Sequence, residues 1–177
     1  MVKPIVLAIG AIPAIIAILI AVPLVTKPDI PFSASTPNDV LDIEYTKHQL
    51  KKVSRGVTDR LVSEKTEILE IKNNGEMLYT LTEAGYPNPS IKSKLNEDTH
   101  KKIKALIKET GFMAIPSESF PILENVTEYQ KSNVKIILNN QVTQIHWPEQ
   151  NATEKFVPPI ITMIELELDK IMDQVSE

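Results

Sequence analysis

Residues 5–25 read IVLAIGAIPAIIAILIAVPLV, about 21 positions with no charge and no strongly polar side chain. No other feature constrains the chain as much. A hydrocarbon core about 30 Å thick is crossed by roughly 20 apolar helical residues. A helix on the surface of a water-soluble domain keeps a polar face, and this run has none. Beyond Val25 polar and apolar residues mix as in a water-soluble domain. The expected organisation has three parts: a transmembrane helix within residues 1–25, a proline-containing stalk at 26–39, and a domain at 40–177.

A cleaved signal peptide is the competing reading. Its apolar region spans about 7–15 residues and ends at a small-residue cleavage site. This run is longer, and the nearest small-residue triplet, Ser33-Ala34-Ser35, lies well past its apolar end. An uncleaved signal anchor therefore fits better, with cleavage in a fraction of molecules left open. Lys3 and the terminal amine precede the span, and Lys27 with Asp29 follows it. The positive-inside rule then expects the N-terminus in the cytoplasm and the domain outside the cell membrane. Pro28, Pro31 and Pro37 favour an extended, semi-rigid stalk. Two sequons, Asn125-Val126-Thr127 and Asn151-Ala152-Thr153, suit that location. Asn125 and Asn151 are candidate glycosylation sites, although a chain rich in asparagine carries sequons by chance.

The span has its own pattern. Gly10, Ala14, Ala17 and Ala21 recur at helical spacing and share one face. In lipid, helices associate through close packing along such small residues. Pro13 removes one backbone hydrogen bond in mid-span, and a neighbouring helix can stabilise the resulting kink. The expected partners are the lipid bilayer and either other membrane subunits or a second copy. The bland alternative is that alanines align by chance.

The composition excludes several chemistries. There is no cysteine, so disulfides, thiolate zinc sites, iron–sulfur ligation and a cysteine nucleophile are out. A net charge of −4 offers no basic surface to nucleic acid. The histidines are His48, His100 and His146, and none has zinc-ligand spacing. His48 and His146 fall on the polar faces of predicted strands, so a metal pair across a sheet is the sharp reading and a solvated surface the bland one. Copper could add methionine ligands, but Met77, Met113, Met163 and Met172 fall where core is expected. Glu165, Glu167 and Asp169 read as a solvated helix face. No glycine-rich phosphate loop or nucleophile elbow occurs. No catalytic residue, cofactor or metal ligand is expected.

The domain reads as α+β. Residues 40–48 alternate as a strand, with Leu41, Ile43 and Tyr45 on one face and Asp42, Glu44 and Thr46 on the other. Residues 50–63 read as a strand, a turn near Arg55-Gly56, and a further extended piece. A hairpin spans 67–82 around Asn73-Asn74-Gly75. A two-residue loop would put Met77, Tyr79 and Leu81 on the face opposite Leu69 and Ile71. A three-residue loop pairs Lys72 with Glu76 and puts all five on one side, so burial selects it. That loop needs Gly75 in the left-handed region. Residues 84–94 read as loop. A helix at 97–110 has Asn96 as cap, Glu97 and Asp98 in its first turn and Gly111 as its stop. Its buried stripe is Ile103, Leu106 and Ile107, with Lys101, Lys102, Lys104 and Lys108 directed to water. After a polar connection at 116–131, a second hairpin spans 132–147 around a two-residue Asn139-Asn140 loop. Val134, Ile136, Leu138, Ile145 and Trp147 share its main face, with Ile137 opposite Val142 on the other. Pro158 and Pro159 open a final helix. Its stripe is Ile160, Ile164, Leu168, Ile171 and Val175, widened by Ile161 and Met172. The expected fold is an antiparallel sheet of two hairpins plus N-terminal strands, with two helices on one face.

The succession LEIKNNGEMLYTL, a capped helix ending in Gly111-Phe112, KIILNNQVTQIHW and a last helix resembles small exported domains of bacteria and archaea. The cysteine-free composition, rich in Ile, Lys and Asn behind one proline-containing span, is similar to single-span envelope proteins of ammonia-oxidising archaea. That resemblance implies an accessory subunit of a membrane enzyme complex of the ammonia monooxygenase type. The expectation is a structural or interaction subunit; a membrane-tethered ligand-binding or sensory domain is the alternative.

Overall fold

The computed structural model describes residues 36, 38–56 and 58–176. The expected membrane helix, with its Gly10, Ala14, Ala17 and Ala21 face, lies outside them, as does nearly all of the stalk.

One antiparallel sheet and two helices make up the described domain, in the α+β class. The elements in order are β1 (Leu41–Arg55), β2 (Thr58–Ile71), β3 (Glu76–Glu83), β4 (Tyr86–Pro87), β5 (Ile91–Lys94), α1 (Glu97–Glu109), β6 (Glu128–Leu138), β7 (Gln141–Pro148) and α2 (Pro159–Ser176). The seven strands lie in the order β4-β3-β2-β1-β6-β7, and β5 pairs with β3. No helix among the described residues is long and apolar enough to cross a membrane.

Alternation sets the sheet's faces. Leu41, Ile43 and Tyr45 of β1 are buried, as are Leu69 and Ile71 of β2, Met77 and Tyr79 of β3, Val134, Ile136 and Leu138 of β6, and Ile145 and Trp147 of β7. Both hairpin registers follow the burial argument. In the first, Ile71 pairs with Met77, the Lys72 N–H donates to the Glu76 carbonyl, and Gly75 takes φ +80°. In the second, Leu138 pairs with Gln141 across Asn139 and Asn140, which take φ 50° and 69°. Leu81 is only half-buried.

Helix α1 starts as expected, with Asn96 Oδ1 accepting from the Thr99 N–H at 2.7 Å. Gly111 has φ +69° just past its end. Ile103, Leu106, Ile107 and, after the turn, Phe112 are buried. Helix α2 buries Ile161, Ile164, Leu168, Ile171, Met172 and Val175, with Ile161 rather than Ile160 at the head of the stripe. Met77 and Met172 are core residues; Met113 and Met163 are half-buried.

Three expectations are corrected. The first strand does not stop near His48 but continues to Arg55, because a bulge at Glu64 of β2 absorbs the break in register. Residues 84–94 are not all loop. β4 and β5 pair with the outer edge of β3, a backbone ladder that four exposed residues can form without any buried side chain. Lys104 does not face water: it is 8% exposed, and Lys108 is half-buried beside it.

Beyond the Lys51–Glu128 and Lys65–Glu83 pairs, β1 and β2 run on past their neighbours. From there to the Arg55–Thr58 pair they ladder with each other, apart from the Lys52 N–H donating to the Thr127 carbonyl and the Ala84 N–H donating to the Glu64 carbonyl. Residues 52–55 and 58–63 thus form a two-stranded arm. Its tip lies about 45 Å along β1 from Leu41, at about 3.3 Å per residue.

Candidate functional site

Among the described residues two polar clusters and the arm stand out. The first cluster sits under α2. Glu165 accepts hydrogen bonds from Ser132 Oγ at 2.7 Å, from Trp147 Nε1 at 2.9 Å and from Gln130 Nε2 at 3.4 Å. One helical turn on, Asp169 accepts from Tyr45 OH at 2.9 Å and from Lys47 Nζ at 3.0 Å. Burial, with the Glu165 and Asp169 charges adding to it, pushes the Tyr45 hydroxyl far above its ordinary range. The solvated-face reading of this acidic stretch is therefore wrong for Glu165 and Asp169. They satisfy the indole, hydroxyl and ammonium groups that the buried sheet face cannot leave unpaired. Glu167 is held between Lys102 at 2.9 Å and Lys170 at 2.8 Å and is itself only partly exposed. All three carboxylates are held by side chains of the sheet or the helices.

The second cluster centres on Asp39, 5% exposed, where the chain enters the sheet. Its carboxylate accepts from the Thr36 N–H at 2.7 Å, from Lys108 Nζ at 2.8 Å and from Asn139 Nδ2 at 2.9 Å. Burial alone would raise its pKa; these bonds outweigh burial and hold it well below the usual carboxylate range. Lys104 Nζ donates to the Asp39 carbonyl at 2.8 Å and to Asn73 Oδ1 at 3.1 Å. Burial pulls the Lys104 pKa down, with the Asp39 charge opposing it. The Asp39 carboxylate thus joins the incoming chain, α1 and the second hairpin turn, while Lys104 ties the Asp39 carbonyl to the first turn.

The histidines form no centre. His48 Nδ1 lies 3.0 Å from Thr66 Oγ1. His146 is exposed on β7, where it pairs with Asn133 of β6. Burial first, and the Lys131 charge second, lower the pKa of both. His100 is lowered by burial and by Lys104, and its Nε2 is buried without a hydrogen-bond partner. Among the described residues no group of three or more His, Cys, Asp or Glu is placed to hold a metal. Ser132 and Lys135 have the S-x-x-K spacing of a serine–lysine dyad. On a strand that spacing sends them to opposite faces, and Ser132 is committed to Glu165.

Asn125 and Asn151 are both exposed, so both sequons present their asparagine at the surface. Thr153 of the second is buried. Two of the surface grooves bear on the argument. One of about 590 Å³ on the outer sheet face is lined by Glu70, Lys72, Leu78, Lys92 and Lys94. The other, about 280 Å³, runs beside the arm between Leu61, Ile122, Leu123, Val126 and Tyr129. The first is lined mainly by charged side chains of the solvated face. The second is mainly apolar and borders the arm, which the sequence reading described only as extended pieces. The arm's sequence signal is weak: Val53, Val57 and Leu61 recur four apart rather than alternating, and Gly56 interrupts them.

No protein-family model and no curated protein matches this chain.

Proposed function

We propose that this chain is a single-span, membrane-anchored protein whose outer α+β domain serves as a structural or accessory interaction subunit of a membrane complex. The observation that carries this reading is the uncharged run at residues 5–25, long enough to cross a bilayer. Residues 26–39 are a stalk, and residues 40–177 are the domain, outside the cytoplasm. Two features of the domain support the reading. Its buried polar groups are spent on holding the sheet to the helices, as a scaffold requires. Its arm projects an edge that the rest of the domain does not use.

The first test is purification of the full chain in mild detergent, with identification of the proteins that co-migrate. Reproducible membrane partners are the expected result; a chain that never co-migrates with another protein, or extracts from membranes at high pH without detergent, sinks the reading. Protease added to intact cells, or to spheroplasts where a wall intervenes, should remove the domain. Full protection despite verified access would place it inside. Changing Ala14 and Ala17 together to Ile should release partners if the small-residue face packs against them, whereas Ile16→Val with Leu19→Val should not.

A further inference from the structure

We propose that the outer edge of the β2 arm is a strand-pairing surface for a second copy of this chain, joining two sheets edge to edge about a two-fold axis at Leu61. This deepens the interaction reading above and rests on it for the confinement of both copies to a membrane; the edge itself belongs to the described domain.

The direction of the backbone groups can be worked out from the register. In an antiparallel ladder the N–H and C=O of one residue point to the same side, and the side alternates along the strand. The Lys52 N–H donates away from β2, to the Thr127 carbonyl. Lys52 pairs with Leu61. Leu61 therefore turns its own N–H and C=O away from β1, and so do Asp59 and Ser63, two residues to either side. On that side β3 has already ended, and the Ala84 N–H donates to the Glu64 carbonyl as the last bond of the ladder. Six backbone groups of Asp59, Leu61 and Ser63 are left without a backbone partner among the described residues.

The other edges of this sheet are blunted. β7 is covered where Thr143 Oγ1 donates to the Met113 carbonyl at 3.2 Å and Ser117 Oγ donates to the Gln144 carbonyl at 3.0 Å. β5 has four residues, two of them lysines, and β4 has two, one of them proline. Short strands, lysine and proline are how natural sheets discourage pairing. Residues 58–63 carry no proline and no lysine, and Leu61 and Val62 are 52% and 42% exposed.

Self-pairing is favoured because one two-fold register uses the whole edge. With Leu61 on the axis, Asp59 of each copy meets Ser63 of the other, and all six groups find partners. Leu61 then covers Leu61. An axis at Arg60 would oppose two guanidinium groups, which is unfavourable. An axis at Val62 would need the Glu64 carbonyl that already holds Ala84. The contact is small, so association is weak and is helped by confinement of both copies to membranes. The Leu41 ends lie on opposite sides of the axis, which distinguishes this dimer from a parallel one.

The chain has no cysteine, so engineered pairs carry no background. Two differently tagged full-length copies, one Asp59→Cys and one Ser63→Cys, are expressed together and mildly oxidised in their native membranes. Hydrogen-bonded antiparallel pairs hold Cα atoms about 5.5 Å apart, within disulfide reach. The expected product is the mixed disulfide, with at least fivefold less from Asp59→Cys alone. Leu61→Pro added to both copies removes an N–H that β1 does not use, so the arm should stay paired while the mixed product falls at least tenfold. Absence of the mixed product in wild-type arms, or an unchanged yield with Leu61→Pro, overturns the proposal. Either result leaves the accessory-subunit reading standing if membrane partners still co-purify.

Discussion

The two ends of the sheet are built on opposite principles. At the end where β1 begins, Asp39, Lys104, Lys108, Asn73 and Asn139 tie together segments far apart in sequence. At the other end β1 and β2 hold only each other, and an isolated two-stranded ribbon is marginal in water. The first end is closed, and its carboxylate, ammonium and amide groups are committed, with the His100 Nε2 left as a buried atom without a hydrogen-bond partner. The second leaves a backbone edge and two apolar side chains at the surface. Stability should therefore be concentrated at the core and the closed end, and association at the arm.

Trp147→Ala offers the largest test of that contrast. It removes a fully buried ring on the face under α2 and strips Glu165 of its indole donor. The expected loss is about 3–5 kcal/mol in chemical denaturation. His146→Ala, one residue earlier and exposed, should cost under about 1 kcal/mol. Equal losses would mean that the β6–β7 register is wrong.

Asp39→Ala comes next. It leaves Lys108, Asn139 Nδ2 and the Thr36 N–H without their carboxylate, and an uncompensated, partly buried ammonium costs about 3 kcal/mol. The sign of the pH dependence follows. A carboxylate whose pKa is depressed by folding contributes stability above its ordinary range, and this is lost as pH falls toward the folded value. The three histidines are also depressed, mainly by burial, but here protonation favours the unfolded chain. Stability should decline as pH falls from about 6.5. The apparent melting temperature between pH 7 and pH 5 measures this. A flat profile there would show that the histidines are as solvated in the folded chain as in the unfolded one.

Much of the closed end was legible in the sequence. The two turns were readable because one-residue slips invert faces, and only one register in each hairpin buried the apolar set. The α1 cap was readable because Asn96 directly precedes Glu97 and Asp98, which suit a first helical turn, and Gly111 closes the run. Lys104 was not, because its oxygen partners come from Asp39 and Asn73, brought near only by the folded sheet. Glu165 and Asp169 were misread for the same reason: a carboxylate at helical spacing looks alike whether it meets water or a buried indole. β4 and β5 were invisible because they contribute backbone bonds, and glycine and proline around them read as breakers. The arm was half-legible: the turn near Arg55-Gly56 marks two extended pieces, but Val53, Val57 and Leu61 recur four apart rather than alternating, and nothing local says that the neighbouring strands stop short. The small-residue face of the span lies outside the described residues, so the sequence argument for it stands by itself.

A smaller effect is expected at Gly75, where φ is +80° and an added Cβ would meet the Leu95 carbonyl oxygen at 3.5 Å. That distance is ordinary contact, so the cost of Gly75→Ala is conformational, about 1–2 kcal/mol for an L residue in the left-handed region. A loss beyond that range would mean that the three-residue turn has no room to adjust.

The smallest effect should come from the arm. Leu61 is half-exposed, so its truncation to Ala removes at most half of the burial of a leucine side chain. Full burial is worth about 1.5–3 kcal/mol, so the loss should be about 1 kcal/mol or less. Leu61 lines a groove with Ile122, Leu123, Val126 and Tyr129, and truncation widens that groove. The backbone pairing with Lys52 does not depend on the side chain. Chemical denaturation of Leu61→Ala beside Trp147→Ala, in the same detergent, gives the ratio directly. A ratio of three or more in favour of Trp147 places stability away from the arm, as the two ends of the sheet require. If Leu61→Ala costs as much as Trp147→Ala, the arm is part of the core, its edge is not spare, and the contrast between the two ends fails.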